Sequence, residues 1–358
     1  MQSHRSSRRC GGRVAVPCPR AGPICGMFLL LRGGACCIMS PHSSPHRIDV
    51  HHHLFPPPFL AQLFEHQHYL SRGVAAHWTP QVSLDDMDEA GVATAITSIT
   101  APGFSIVKAD LLRHITRECN EYGARMALDH PGRFGLFASL PLPDVVGSLK
   151  EIEHALNILK ADGIGLLTSY NNQWLGDPAF VPVMDELNRR RAIVYVHPTA
   201  ADCCRNLMPM VQDWVIEFPV DTTRTIASLL FSGTVLRCPD IKFIFAHCGG
   251  ILPLLTEHLI RVPVIDPSMQ ELVPAGVLHE LRRFHYDVAL RAHPTGLASA
   301  LHMVSVSQLL FGTDAPLRRS RATVEGLTNY GFAPHELRAI DCENAQRLLP
   351  RCAQRCSG

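Results

Sequence analysis

Asp49-Val50-His51-His52-His53, directly after Ile48, puts three imidazoles at the end of an apolar run. If that run is a β-strand, side chains alternate faces, so His51 and His53 point one way and His52 the other. Two imidazoles two residues apart on one strand can reach one divalent ion, whereas the plain alternative is a histidine-rich loop. Three later sites share the form of an apolar run followed by a ligand type. Residues 192–196 end in His197, residues 243–246 in His247 and residues 309–313 in Asp314. Histidine and aspartate are mostly exposed or partnered, so their placement at the ends of buried runs is informative. Singly, each has an ordinary reading. His197 or His247 could be a hydrogen-bonded core histidine, and Asp314 could cap a helix starting near Pro316. Jointly they supply three histidines and one carboxylate for a divalent ion, with one histidine to spare. That donor set suits Zn²⁺ with a position open for water or substrate.

Such groups need a scaffold that aims strand ends at one place. From Ile48 the chain alternates short apolar runs with helical periodicity, the pattern of a parallel α/β fold. Strands are expected at 48–53, 92–99, 133–140, 163–167, 193–197, 242–247, 283–288 and 308–313. Helices are expected at 110–129, 144–160, 221–236 and 293–304. The second of these opens with Asp144 after Pro143 and repeats Leu149, Ile152, Leu156 and Leu159 at helical spacing. Eight strands and their helices in about 300 residues predict a (β/α)₈ TIM barrel of the α/β class, whose active site lies at the C-terminal strand ends. Loop insertions are expected at 55–80 and 171–177. Phe55 and Trp174, on the loops after the first and fourth strands, are candidates for an aromatic pocket, with packing the ordinary alternative. Asp287, ending the seventh strand, is a candidate to orient a metal ligand or to cap a turn. Gly249-Gly250 suggests a tight backbone turn beside the ion.

The 358 residues are 46% hydrophobic and 18% charged, enough for one large domain with an ample core. Residues 1–46 stand apart. They hold six arginines and no acid in a chain of net charge +1, which leaves −5 for the remainder. They are expected to be an extension without a stable fold, with organelle targeting the alternative, and 47–358 to be the barrel domain. Nothing suggests a nucleic-acid surface, and no apolar run reaches the length of a membrane span. Five of thirteen cysteines fall in the first forty residues, and the others show no CxxC spacing. A reduced, cytoplasmic protein is the expectation.

The chain resembles the amidohydrolase-related superfamily of metal-dependent barrels, in the branch of aminocarboxymuconate-semialdehyde decarboxylase and the ortho-hydroxybenzoate decarboxylases. The stretches that carry the resemblance are IDVHHHLFPP from Ile48, VYVHPTA from Val194, SGTVLRCPDIKFIFAHCGGILP from Ser232, FHYDVAL from Phe284, LLFGTDAP from Leu309 and ENAQRLLP from Glu343. GRFGLFASLPLPD from Gly132, ADGIGLLTSY from Ala161 and DTTRTIASLLFSG from Asp221 are similar to the 6-methylsalicylate decarboxylases of that branch. The resemblance implies metal ligands at His51, His53, His197 and Asp314, and an acid/base at His247. Relatives with two metals carry a lysine on the fourth strand; Gly163-Ile164-Gly165-Leu166-Leu167 has none, which implies one ion. Zn²⁺ is the first expectation and Mn²⁺ the second, with no organic cofactor. The implied activity is non-oxidative decarboxylation of a small ortho-hydroxy aromatic acid such as 6-methylsalicylate, with His247 or Asp314 giving the proton. Close relatives also imply a homodimer. A hydrolase of a lactone or cyclic amide, and a silent barrel used for binding, are the competing readings.

Overall fold

The computed structural model describes residues 45–65 and 71–351. Residues 1–44, which hold most of the expected N-terminal extension, and His66 and His68 of the first insertion, lie outside the described residues.

Eight parallel strands form one sheet in sequence order: β1 (Arg47–His53), β2 (Val92–Ser98), β3 (Phe134–Ser139), β4 (Gly163–Leu167), β5 (Ile193–His197), β6 (Lys242–Phe245), β7 (His285–Asp287) and β8 (Leu309–Leu310). The last returns to the first. Val50 N–H donates to the Phe311 carbonyl at 3.0 Å, and His53 N–H to that of Ala315 at 2.7 Å. The chain is therefore a (β/α)₈ barrel. Its strands are nearly continuous apolar runs because the barrel interior covers one face and helices the other.

Two packed layers follow. Inside the barrel lie Ile48, Val50, Ile96, Phe137, Tyr195, Ile244 and Leu310, all fully buried. Tyr195 stacks on Phe137 with centroids 5.2 Å apart and forms the floor beneath His51. Between strands and helices runs a larger cluster that includes Phe180, Leu187, Ile226, Leu229 and Leu297.

The helices differ from the expected spans where backbone chemistry intervenes. Asp144 caps its helix, its carboxylate accepting from Gly147 N–H at 2.9 Å. The α-helix then covers Val145–Glu153 and passes into a π turn at His154–Ile158. The helix expected at 221–236 instead starts at Asp213 and ends at Phe231. Pro219 reads as a breaker but sits within that helix, and its carbonyl accepts from Ile251 N–H at 3.2 Å and from Thr223 Oγ1 at 3.0 Å. Gly250 (φ 73°) is the reason the two segments can meet. A Cβ there would lie 2.1 Å from the Pro219 oxygen. The first insertion carries helices Pro57–Glu65 and Ser71–Ala75. The second is a hairpin, Ser169–Tyr170 against Gln173–Trp174, turned by Asn171 and Asn172 at φ 49° and 61°. Among the described residues no helix is long and apolar enough to cross a membrane.

Candidate metal centre

β1, β5 and the segment after β8 deliver His51, His53, His197 and Asp314 to one point. Each offers one ligand atom, these atoms lie within 4.8 Å of one another, and all four residues are buried. His51 Nε2 is 3.2 Å from His53 Nε2 and 3.3 Å from Asp314 Oδ1, which is 3.0 Å from His53 Nε2. His52 turns away, between Asp49 Oδ2 at 3.1 Å and Ser83 Oγ at 2.9 Å.

The outer nitrogens explain the aim. His51 Nδ1 faces Asp287 Oδ2 at 3.0 Å, His53 Nδ1 the Ser98 carbonyl at 3.2 Å, and His197 Nδ1 the Pro198 carbonyl at 2.8 Å. These acceptors fix Nδ1 as the protonated atom and leave Nε2 lone pairs converging. Three inward lone pairs and a carboxylate oxygen repel one another, so the donor set fits a cation at its centre. Burial lowers the His51 imidazole, but Asp287 and Asp314 outweigh it and raise it to about 10. Burial lowers His53, and lowers His197 further with the nearby imidazoles. Burial would raise the Asp314 carboxyl, but the His51 charge and the neighbouring His247, His51 and His53 imidazoles hold it well below the usual carboxylate range.

Backbone strain marks both remaining arms of the site. Strand β6 stops at Phe245 rather than 247, and His247 lies in the turn beyond it at φ 55°, followed by Cys248 at φ 54°. Asp314 has φ 66°. Such non-glycine conformations cost energy and persist only where neighbours hold them. Asp287 is one holder: its Oδ1 accepts from the N–H of His247 at 3.1 Å and of Ala289 at 3.0 Å. Thus Asp287 both faces His51 and caps a turn. Asp49 is another. Its two oxygens accept from His51 N–H (3.0 Å), Thr313 N–H (3.1 Å) and Thr313 Oγ1 (2.6 Å), stapling β1 to the Asp314 segment. Gly312 lets these strands close, since a Cβ there would lie 2.8 Å from that of Asp287 and 3.0 Å from that of His51.

Asp287→Ala is expected to weaken metal affinity about ten- to hundredfold while the barrel stays folded. Competition with a chromogenic chelator measures this; unchanged affinity would mean that Asp287 does not orient His51.

His247 Nε2 is buried without a hydrogen-bond partner and lies 3.8 Å from Asp314 Oδ2. With His197 and Asp314 it lines a cavity of about 1060 Å³. Trp214, Phe218, Pro219 and Leu290 make an apolar wall in that cavity, while Arg291 and Arg318 supply positive charge.

Two aromatic candidates fall elsewhere. Phe55 is fully buried, with centroids 6.3 Å from Phe59 and 5.9 Å from Trp78, so it belongs to the core rather than to the cavity. Trp174 does not line the cavity either. Its indole N–H donates to Asp221 Oδ1 at 2.7 Å, and Thr168 and Ser169 hydroxyls donate to Asp221 Oδ2, pinning the hairpin to a helix. His77 is exposed. Sequence reading missed Asp49, whose position two before His51 on the same strand was the available signal. It also missed Trp214, Phe218 and Arg291, which no local pattern marks.

The amidohydrolase family model matches residues 48–351. "Decarboxylase yanB" of Aspergillus niger is 36% identical over 324 residues, covering 85% of this chain and 88% of that protein. The 6-methylsalicylic acid decarboxylase of Penicillium expansum is 33% identical, covering 85% of this chain and 96% of its own. Among solved structures, 5-carboxyvanillate decarboxylase of Novosphingobium aromaticivorans, complexed with manganese and 4-hydroxy-3-methoxy-5-nitrobenzoic acid, superposes with a TM-score of 0.76. It is 16% identical and covers 85% of this chain and 96% of that one.

Proposed function

The chain belongs to the amidohydrolase family, and from that premise we propose that it is a metal-dependent, non-oxidative decarboxylase of an ortho-hydroxy aromatic acid such as 6-methylsalicylate, which would give 3-methylphenol and CO₂. The observation that carries this reading is the convergence of His51, His53, His197 and Asp314 beside a cavity into which His247 brings an unpartnered nitrogen. The curated relatives of 33–36% identity reported above are both decarboxylases.

His51, His53, His197 and Asp314 would hold one divalent ion. When bound, the ion supplies a Lewis acid and template for the carboxylate and the neighbouring phenol oxygen. Three imidazoles favour Zn²⁺ over harder ions; Mn²⁺, present in the 5-carboxyvanillate decarboxylase structure, is the rival. The chain's own contribution is a proton. His247 is the better donor, because Asp314 cannot both carry a proton and serve as a ligand. The His247 imidazolium would place its Nε2 proton on the ring carbon bearing the carboxylate. The carbon–carbon bond then breaks, its electron pair returns to the ring, CO₂ leaves, and the imidazole regains a proton from water. The apolar wall of Trp214, Phe218 and Leu290 would hold the ring and exclude water from it.

CO₂ release from a panel of ortho-hydroxybenzoates, with the protein loaded with Zn²⁺ or Mn²⁺, tests this. Release is expected to stop on chelation and return with metal. Acid formation from a lactone without CO₂ release from any panel member would favour the hydrolase, a reading that the named relatives do not favour. The six described cysteines of the barrel form no disulfide among themselves, which supports a reducing compartment such as the cytoplasm. A homodimer is part of the same reading by analogy, and analytical ultracentrifugation decides it.

A further inference from the structure

Three arginines line the cavity, and they differ in what neutralises them. Arg205 pairs with Asp202 at 3.1 Å. Among the described residues, no carboxylate lies within 4.0 Å of Arg291 or Arg318, whereas Arg319, next in the chain, meets Asp86 and Glu89. Arg318 also lines an outer groove with Pro316 and Arg319, so it serves two surfaces. Arg291 is more constrained. It is half-buried on the loop after β7, where Leu290 adopts φ 56°. Its Nε makes one long contact, 3.4 Å to the His247 carbonyl oxygen. The rest of its guanidinium fork has no protein partner among the described residues. A half-buried cation beside the apolar wall of Phe218 and Leu290 has lost part of its hydration, and an anion would compensate.

We infer that Arg291 is a substrate-binding residue that grips the carboxylate of the aromatic acid. This rests on the decarboxylase reading above. A planar guanidinium matches a carboxylate with two parallel N–H donors, and its tether to the His247 carbonyl holds the fork beside the proton donor. The contact has a consequence for turnover. The carboxylate leaves as neutral CO₂, so Arg291 holds the reactant and has nothing to hold in the phenol product. Binding that is made in the ground state and not strengthened in the transition state lowers KM and leaves kcat nearly unchanged.

The test uses Arg291→Gln and Arg291→Lys in the metal-loaded full chain, with salicylate and phenol as calorimetric probes. The Gln variant is expected to bind salicylate about ten- to hundredfold more weakly, the range for losing a charge-assisted contact. Phenol affinity and metal content are expected to stay at the wild-type level, with Lys intermediate for salicylate. In CO₂ release, KM should rise with salicylate affinity loss while kcat holds. Equal losses for salicylate and phenol, or no loss for salicylate, overturn the inference. So does a fall in kcat with salicylate affinity kept, which would make Arg291 a positioning residue for His247. Arg291-dependent salicylate binding in a protein that releases no CO₂ would leave the carboxylate seat standing and defeat the decarboxylase reading.

Discussion

Asp314→Asn is expected to strip the ion and lower CO₂ release at least about a thousandfold, more than the ten- to hundredfold typical of losing a ligand's outer partner. Asparagine keeps the shape of the side chain, so the effect isolates charge. Asp314 is the sole carboxylate among the four converging donors. Without it the ion's double charge faces three neutral imidazoles and no anion among buried side chains. Metal analysis of the purified variant should find well under one ion per chain, while circular dichroism shows an intact barrel. A variant that holds metal and turns over like wild type would remove Asp314 from the ligand set. Its backbone position will persist, because the Asp314 N–H donates to the His51 carbonyl at 2.8 Å whatever the side chain.

His247→Ala is expected to separate chemistry from metal. Metal content should match wild type, since the His247 Nε2 lies 3.8 Å from Asp314 Oδ2 and its ring is outside the converging set. Turnover should fall about a hundred- to ten-thousandfold, the range for losing a positioned general acid. Removing the ring leaves space that opens on the cavity, so added imidazole is expected to restore part of the rate. Wild-type turnover in this variant would end the proton-donor assignment. Loss of metal together with activity would make His247 a ligand instead. The backbone here is held separately from the side chain, through Asp287 Oδ1 and the two glycines at 249 and 250, so the substitution is expected to leave the turn in place.

Much of this molecule is written locally. Alternating apolar runs and amphipathic segments specify the eight strands and their order, because strand and helix periodicity arise from residues a few positions apart. The motifs also put histidine at the ends of strands β1 and β5, and histidine and aspartate just beyond those of β6 and β8, which is where a barrel of this kind does its chemistry. Alternation gives the opposition of His52 to His51 and His53, but a register shift between Asp49 and His52 separates that pattern from the face of Ile48 and Val50.

Other features depend on contacts between residues that are remote in sequence. His53 meets Asp314 across 261 residues, and His51 meets Asp287 across 236, distances over which no local pattern carries information. Closure of the barrel aims the four donors at one point, and acceptors on other strands fix which nitrogen of His51 and His53 faces inward, while the carbonyl of the adjacent Pro198 does so for His197. Phe55 and Trp174 show the same limit from the other side. Their loops were visible in the sequence, but the neighbouring Phe59 and Trp78, and the buried Asp221, turn them toward packing and away from the cavity. The sequence determined what the strand ends carry and in what order; the tertiary structure alone decided which of those groups meet, because meeting is a property of the closed sheet and not of any segment within it.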